Sequence, residues 1–258
     1  MLKTIYFSFF LVILISGCKP SESGTQTSEL PVAKEMSQAD KILNKCIDAH
    51  GGKKYNTAHY SFVFRKKEYT FQNNGEQYEY KVSSSKDGVR SENILNNLGL
   101  VRLVDNEKVS LDEKMISGYS GSLNSVIYFA TLPYKLQDPA VNKKYIGETT
   151  IKNKSYHILE ITFDQKGGGR DHDDEFYYWI NKDNNQIDYL AYNYQVNNGG
   201  VRFRTAYNTR TVGGIIFQDY VNYKADVGTP LADLPKLFEA EKLKKLSLIE
   251  TENVKLIK

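Results

Sequence analysis

The stretch Gly167-Gly168-Gly169-Arg170-Asp171-His172-Asp173-Asp174-Glu175 carries the densest run of chemistry-bearing side chains in the sequence. On an extended backbone successive side chains alternate, so Asp171, Asp173 and Glu175 share one side while His172 and Asp174 share the other. Three carboxylates on one side suit a hard divalent cation bound through oxygen. His172 with Asp174 supplies two ligands of a transition-metal set, whose third must come from a distant residue such as His50 or His157. The calcium-loop template does not fit, because it requires glycine where Phe176 stands and a closing glutamate where Lys182 stands. The candidate metal ligands are therefore Asp171, His172, Asp173 and Asp174. The same residues also read as a solvated hairpin loop, or as an acidic loop that contacts a basic partner.

A different chemistry is written at the start of the chain. Residues Ile15-Ser16-Gly17-Cys18 close an apolar run from Ile5 to Ile15 behind Lys3, the pattern of a bacterial lipoprotein signal with its lipobox. The run is shorter than the ~20 residues of a permanent transmembrane helix. Residues 1–17 are expected to be removed, leaving Cys18 to carry a diacylglycerol on its thiol and a further acyl chain on its freed amine. Two lipid signals already give stable anchoring, so such a protein needs no spanning helix.

Other candidates carry less. His50, just before Gly51-Gly52, suits a helix end, where it bonds the last carbonyls. Ser120 in Gly118-Tyr119-Ser120-Gly121-Ser122 lacks the final glycine of a nucleophile elbow. There is no phosphate loop, dinucleotide fingerprint or CxxC pair. Arg65, Arg202 and Arg204 fall in strands expected to be partly buried, where a guanidinium needs a carboxylate, a phosphate or an aromatic face. In a lipid-binding cavity they would meet headgroups or client backbone; on a watered convex face they would pair with acidic side chains.

The elements that must position these groups are mostly strands. With 19 Tyr and 12 Phe against one Trp, the composition favours β structure. A net charge of +3, with basic and acidic residues evenly mixed, excludes a nucleic-acid footprint. Of the two cysteines, Cys46 has no disulfide partner once Cys18 is lipidated. Residues 18–36 form a Ser-, Thr-, Glu- and Pro-rich flexible tether. A single domain, residues 37–258, is expected to open with an amphipathic helix from Ser37 to His50. Strands should follow at Tyr60–Arg65, Glu76–Val82, Gly88–Leu95, Val101–Val104 and Lys108–Leu111, then a helix from Ser122 to Pro133. Six more strands, from Tyr145 to Tyr223, precede a short helix at Leu231–Leu243 and a last strand at Ser247–Leu256. In β-strand alternation Phe176, Tyr178 and Ile180 point one way and Tyr177 and Trp179 the other, so both faces need cover. The expected class is α+β: a large curved antiparallel sheet, an incomplete barrel, with a few helices on its concave side. Its inward aromatics would either line a cavity or fill a close-packed core.

This order of signal, lipobox, tether, helix and strands around a mid-chain helix resembles the LolA/LolB-type lipoprotein carrier fold. Similar local texture stands at Ile146-Gly147-Glu148-Thr149, at Lys154 to Glu160, at Tyr178-Trp179-Ile180-Asn181 and at Ile187-Asp188-Tyr189-Leu190. Segments like His50-Gly51-Gly52, Gly167 to Asp174 and Gly213-Gly214-Ile215 also recur in Gram-negative lipoproteins of this build that have no established activity. The resemblance implies a periplasmic binding protein anchored through Cys18, at the outer membrane, whose cavity holds acyl chains or an apolar client segment. The ligand-binding candidates are Phe62, Phe64, Tyr178, Trp179, Phe203, Arg65, Arg202 and Arg204. Its expected partners are the membrane and a lipid or lipoprotein client, without nucleic acid. No cofactor is expected, a divalent cation at the acidic loop being the one candidate. Two alternatives stand beside this non-enzymatic reading: a metal-dependent hydrolase of envelope material using Asp171 to Glu175, and a structural or interaction lipoprotein without ligand.

Overall fold

A computed structural model describes residues 35–166, 173–195 and 198–257 of the chain. Residues from Met36 onward form one compact unit. It opens with α1, Gln38–His50, whose cap is Ser37: its Oγ accepts from the Asp40 backbone N–H at 3.1 Å. Ile42, Leu43, Cys46 and Ile47 form its buried stripe.

Five strands follow in hairpin succession: β1 His59–Phe64, β2 Lys67–Asn74, β3 Gln77–Lys86, β4 Val89–Asn96 and β5 Gly99–Val104. The two-residue strand β6, Glu107–Lys108, ends the run. Helix α2, Glu113–Ala130, then leads to β7 Val141–Ile151, β8 Lys154–Phe163, β9 Glu175–Asn181, β10 Ile187–Tyr194, β11 Gly200–Val212 and β12 Ile215–Ala225. A short helix α3, Leu234–Glu239, precedes β13 Lys244–Ile249 and β14 Glu252–Leu256. The strands form two antiparallel seven-stranded sheets, in the orders β14-β1-β2-β3-β4-β5-β6 and β13-β12-β11-β10-β9-β8-β7. The class is thus α+β and antiparallel, with open sheet edges and few helices, as the sequence led us to expect.

Three local differences have physical causes. The strand β2 escapes the sequence pattern because the turn before it contains neither glycine nor asparagine: Arg65 and Lys66 both take positive φ, 50° and 62°, in a two-residue hairpin loop. Arg65 is therefore an exposed turn residue and not the partly buried strand residue expected. Helix α2 begins well before Ser122 because Asp112 caps it, Oδ1 accepting from the Met115 N–H at 2.7 Å. Ser120 consequently sits inside a helix. The last strand is two strands, split where Thr251 is pulled inward. Asp219 of β12, 2% exposed, accepts at Oδ1 from the Thr251 N–H at 2.9 Å and forms an ion pair with Arg210 Nη1 at 3.2 Å. Its Oδ2 accepts from Asn208 Nδ2 at 2.6 Å. The chain turns there and passes from the second sheet into the first.

The second sheet is buried on both faces, which explains its two-sided apolar strands. On one face, called inner here, Phe176, Tyr178, Ile180, Leu190 and Tyr220 pack with α1. On the other, Trp179, Phe203, Val201 and Tyr156 pack with Leu231 and Leu234 of the α3 segment. The first sheet has a core of its own, where Tyr60, Phe62, Phe71, Tyr80 and Leu95 meet Leu123 and Ile127 of α2.

Two glycine-bearing segments noted in the sequence meet in space. A Cβ at Gly51 would lie 3.0 Å from Ile215 Cγ1 and 3.2 Å from the Gly214 oxygen, so the end of α1 seats directly on the β11–β12 turn.

Candidate functional site

Helix α2 spans the inner faces of both sheets, and the residues beneath its last turns form the candidate site. Although 18 residues long, α2 fully buries only Leu123 and Ile127, whereas the 13-residue α1 buries six side chains. Its Met115 and Ile116 are exposed. Toward the second sheet it presents Tyr128 and Phe129. The Tyr128 hydroxyl lies 3.0 Å from that of Tyr178, and the Phe129 ring lies 5.8 Å from Tyr192 and 6.3 Å from Phe176. Phe176 in turn stacks on Tyr192 at 5.1 Å and meets Phe163 edge-on at 5.7 Å. These rings touch one another directly. Burial pushes the Tyr128, Tyr178 and Tyr220 phenols far above their ordinary pKa, so all three are neutral donors.

A single cation stands among them. Arg204 of β11 is 7% exposed, and its Cζ lies 4.0 Å from the Phe129 ring centre and 5.1 Å from that of Tyr192. Its Nη2 donates to the Tyr192 hydroxyl at 2.8 Å, while Nε and Nη1 are buried and have no hydrogen-bond partner among the described residues. A buried charge without a counter-ion costs several kcal/mol, which stacking on two rings, worth ~2 kcal/mol, only partly offsets. The neighbouring Arg202 is half-buried: its Nη2 donates to the Tyr194 hydroxyl, and its guanidinium lies 5.0 Å from that ring.

The remaining sequence candidates lie apart from this cluster. Phe62, 1% exposed, stacks on Tyr69 at 5.4 Å in the first-sheet core, and Phe64 is half-buried beside it under the Arg65 guanidinium. Trp179 and Phe203, 5.7 Å apart, face α3 on the opposite side of the second sheet from Tyr178 and Arg204. Tyr128, Phe129 and Tyr192 went unnoticed in the sequence. Tyr192 shares strand parity with Leu190, which was a readable signal. Tyr128 and Phe129 were hidden because they fall outside the helical stripe of Leu123, Val126, Ile127 and Ala130 that the spacing marks.

Of the acidic loop, Asp171 and His172 lie outside the described residues. Asp173 is an exposed turn residue, and Asp174 is half-buried just ahead of β9. Among the described residues no group of three His, Cys, Asp or Glu side chains converges as a metal set. Glu175 exchanges hydrogen bonds with Asn193, its Oε2 accepting from Asn193 Nδ2 at 2.9 Å. Two surface depressions were found away from the aromatic cluster. One, of about 240 Å³, is lined by Tyr194, Gly200 and Val227; the other, of about 290 Å³, by Asp48, Lys53 and Tyr134. Both fall below the roughly 300–1,000 Å³ typical of small-molecule pockets.

His50, the other titratable candidate, is fully buried, and its Nε2 accepts from the Ile187 N–H at 3.3 Å. It joins α1 to β10 as well as ending the helix. Burial lowers its pKa to about 4 from the ordinary 6.5. Because the unfolded chain binds this proton more readily, stability is full above pH 6.5 and falls as the pH drops toward 4. Between pH 7 and pH 5 the loss should be about 2 kcal/mol at 1.36 kcal/mol per pKa unit. His157, whose pKa burial also lowers, adds a term of the same sign. Urea unfolding at both pH values should show the loss, and His50→Gln should reduce it by most of that amount; an unchanged slope in the variant would assign the effect elsewhere.

Comparison with known proteins adds three findings. A family described as a family of unknown function, DUF6503, matches residues 27–251. No curated protein matches the sequence. Among solved structures, a LolA superfamily protein from Nitrosomonas europaea superposes with a TM-score of 0.51 at 12% identity, covering 86% of this chain and 95% of that one. A DUF1329 family protein from Desulfovibrio piger gives a TM-score of 0.47 at 10% identity, covering 86% of this chain and 94% of that one. The superposition on the Nitrosomonas europaea protein shows a LolA-like fold.

Proposed function

The chain belongs to DUF6503, a family of unknown function, and with no activity to inherit from it we propose, from geometry, an amphiphile-binding protein of the bacterial envelope. On this reading Cys18 anchors it by lipid, at the outer membrane and facing the periplasm. It takes acyl chains, or an apolar segment of a lipoprotein client, between α2 and the inner face of the second sheet. One observation carries the proposal: an 18-residue helix with two fully buried side chains lies across a continuous field of aromatic rings. Elements held by few buried apolar contacts open at low free energy, and α2 is such an element while α1 is not. Its displacement would bare Phe163, Phe176, Tyr178 and Tyr192 as one apolar trough. The LolA-like fold supports the reading, since it is the fold that the resemblance to LolA/LolB-type lipoprotein carriers implies.

Hydrogen exchange tests the moving part. Amides of α2 should exchange about ten-fold or more faster than those of α1 and slow or speed further when an acyl ligand is added, whereas α1 should not respond. Native mass spectrometry of the full chain, purified from its own envelope without added lipid, tests the cargo. A co-purified acyl species that is lost in Tyr178→Asp supports the proposal. An empty protein whose α2 is as protected as α1 would overturn it.

A further inference from the structure

Resting on that carrier reading, we infer that the ligand is an anionic amphiphile and that Arg204 holds its carboxylate or phosphate head. A guanidinium has five N–H donors in one plane. Of the side chain's three nitrogens only Nη2 is engaged, with the Tyr192 hydroxyl, while Nε and Nη1 are buried and unpartnered. Phe129 and Tyr192 occupy its flanks at 4.0 and 5.1 Å, so what remains for a ligand is the donor-bearing edge. A fork of two parallel N–H groups matches a carboxylate or phosphate oxygen pair.

The surroundings offer this cation no internal anion. Among the described residues no carboxylate forms an ion pair with Arg204, and the carboxylates nearest in function are committed. Asp219 is held by Arg210, Thr251 and Asn208, and Asp188 accepts from Tyr156 at 2.9 Å and Asn181 at 2.8 Å. The groups beside it include Tyr178, Tyr192, Tyr220 and Phe129, with Asn222 opposite it on β12, and none of these is a carboxylate. Among the described residues the inner face therefore carries, besides the half-buried Arg202, one deeply buried positive charge without a carboxylate partner. Phe129 links the two halves of the site, because the same ring that covers the guanidinium belongs to the helix that must move for an acyl tail to enter. Head and tail would thus be taken together.

The test compares palmitate with monopalmitoylglycerol, which has the same chain and a neutral head, and with inorganic phosphate, which has a head and no chain. Binding to the delipidated full-length protein is measured by calorimetry, with Arg204→Met and Arg204→Lys beside the natural sequence. Palmitate should bind on the order of 10- to 100-fold more tightly than monopalmitoylglycerol, the range for a charge-assisted hydrogen-bonded pair. Arg204→Met should abolish that preference and leave monopalmitoylglycerol binding as it was, while Arg204→Lys should keep part of it. The methionine variant removes an unneutralised buried charge and should fold, which thermal unfolding verifies; if it does not, Arg204→Gln replaces it. Equal binding of the two acyl probes, or a preference that survives Arg204→Met, overturns the role of Arg204 and leaves the carrier reading standing. If neither acyl probe binds, the carrier reading fails and this inference with it. Arg204-dependent binding of inorganic phosphate without either acyl probe would replace the amphiphile by a free anion and overturn the inference.

Discussion

Replacing Asp219 by alanine is expected to lower folding stability by about 3 to 5 kcal/mol, as removal of one partner from a buried ion pair does. The carboxylate is 2% exposed and receives three donors, the Thr251 N–H at 2.9 Å, the Thr251 hydroxyl at 3.2 Å and Asn208 Nδ2 at 2.6 Å, and it pairs with Arg210 Nη1 at 3.2 Å. Alanine would leave these three short of an acceptor and Arg210, whose other bonds go to Asn208 and Thr251, without its counter-ion. The loss reaches beyond the local bonds, because this cluster fixes the corner between β13 and β14 and so the seam between the two sheets. Equilibrium urea unfolding gives the magnitude, and a cycle with Arg210→Met tests the origin. If the pair is the cause, the double variant should recover part of the loss. A loss under about 1 kcal/mol for the single variant would mean that the seam is held by other contacts.

The second large effect is expected at Gly51. Its φ of 141° and ψ of −15° lie where residues with a side chain are rarely found, and a Cβ there would press on Ile215 Cγ1 at 3.0 Å, Ile215 Cα at 3.2 Å and the Gly214 oxygen at 3.2 Å. Two of those three atoms are backbone and cannot turn aside. Gly51→Val should therefore destabilise by about 4 kcal/mol, backbone strain and steric displacement acting together. Gly75 supplies the control. It has φ of 62° but nothing within 4 Å of a Cβ, so Gly75→Val should show the backbone part alone, about 1 to 2 kcal/mol. Equal losses at the two positions would rule out the packing of α1 on the β11–β12 turn as a source of stability.

How far the molecule could be read from its sequence depended on whether the signal was local. The Ser37 cap, the stripe Ile42-Leu43-Cys46-Ile47 and the stop at Gly51 are all contained within α1 and were legible together. So was the two-sided burial of β9, because alternation places Phe176, Tyr178 and Ile180 opposite Trp179 without reference to the rest of the fold. Three things were not local. The turn at Arg65-Lys66 takes left-handed conformations that neither side chain advertises. The break between β13 and β14 is imposed by Asp219, more than thirty positions earlier, and by Arg210. The candidate site joins Phe129 on α2 to Arg204 on β11, and only the folded chain brings a helix residue over a strand residue so distant in sequence. Arg204 could be marked as an arginine in need of a partner; that it has rings and no carboxylate could not.

The pairing of β1 with β14 bears on how the protein is made. Tyr60 lies opposite Leu256 and Ser61 opposite Lys255, so one edge of the first sheet is supplied by residues made long after β1. Until they arrive, β1 is an open edge strand of sequence His-Tyr-Ser-Phe-Val-Phe, paired only with β2, the kind of edge on which other chains grow. That edge is covered only once β14 has been made and has paired with it. A ribosome-stalled or C-terminally truncated product ending before Glu252 would then be a sticky species whose hazard the finished protein conceals.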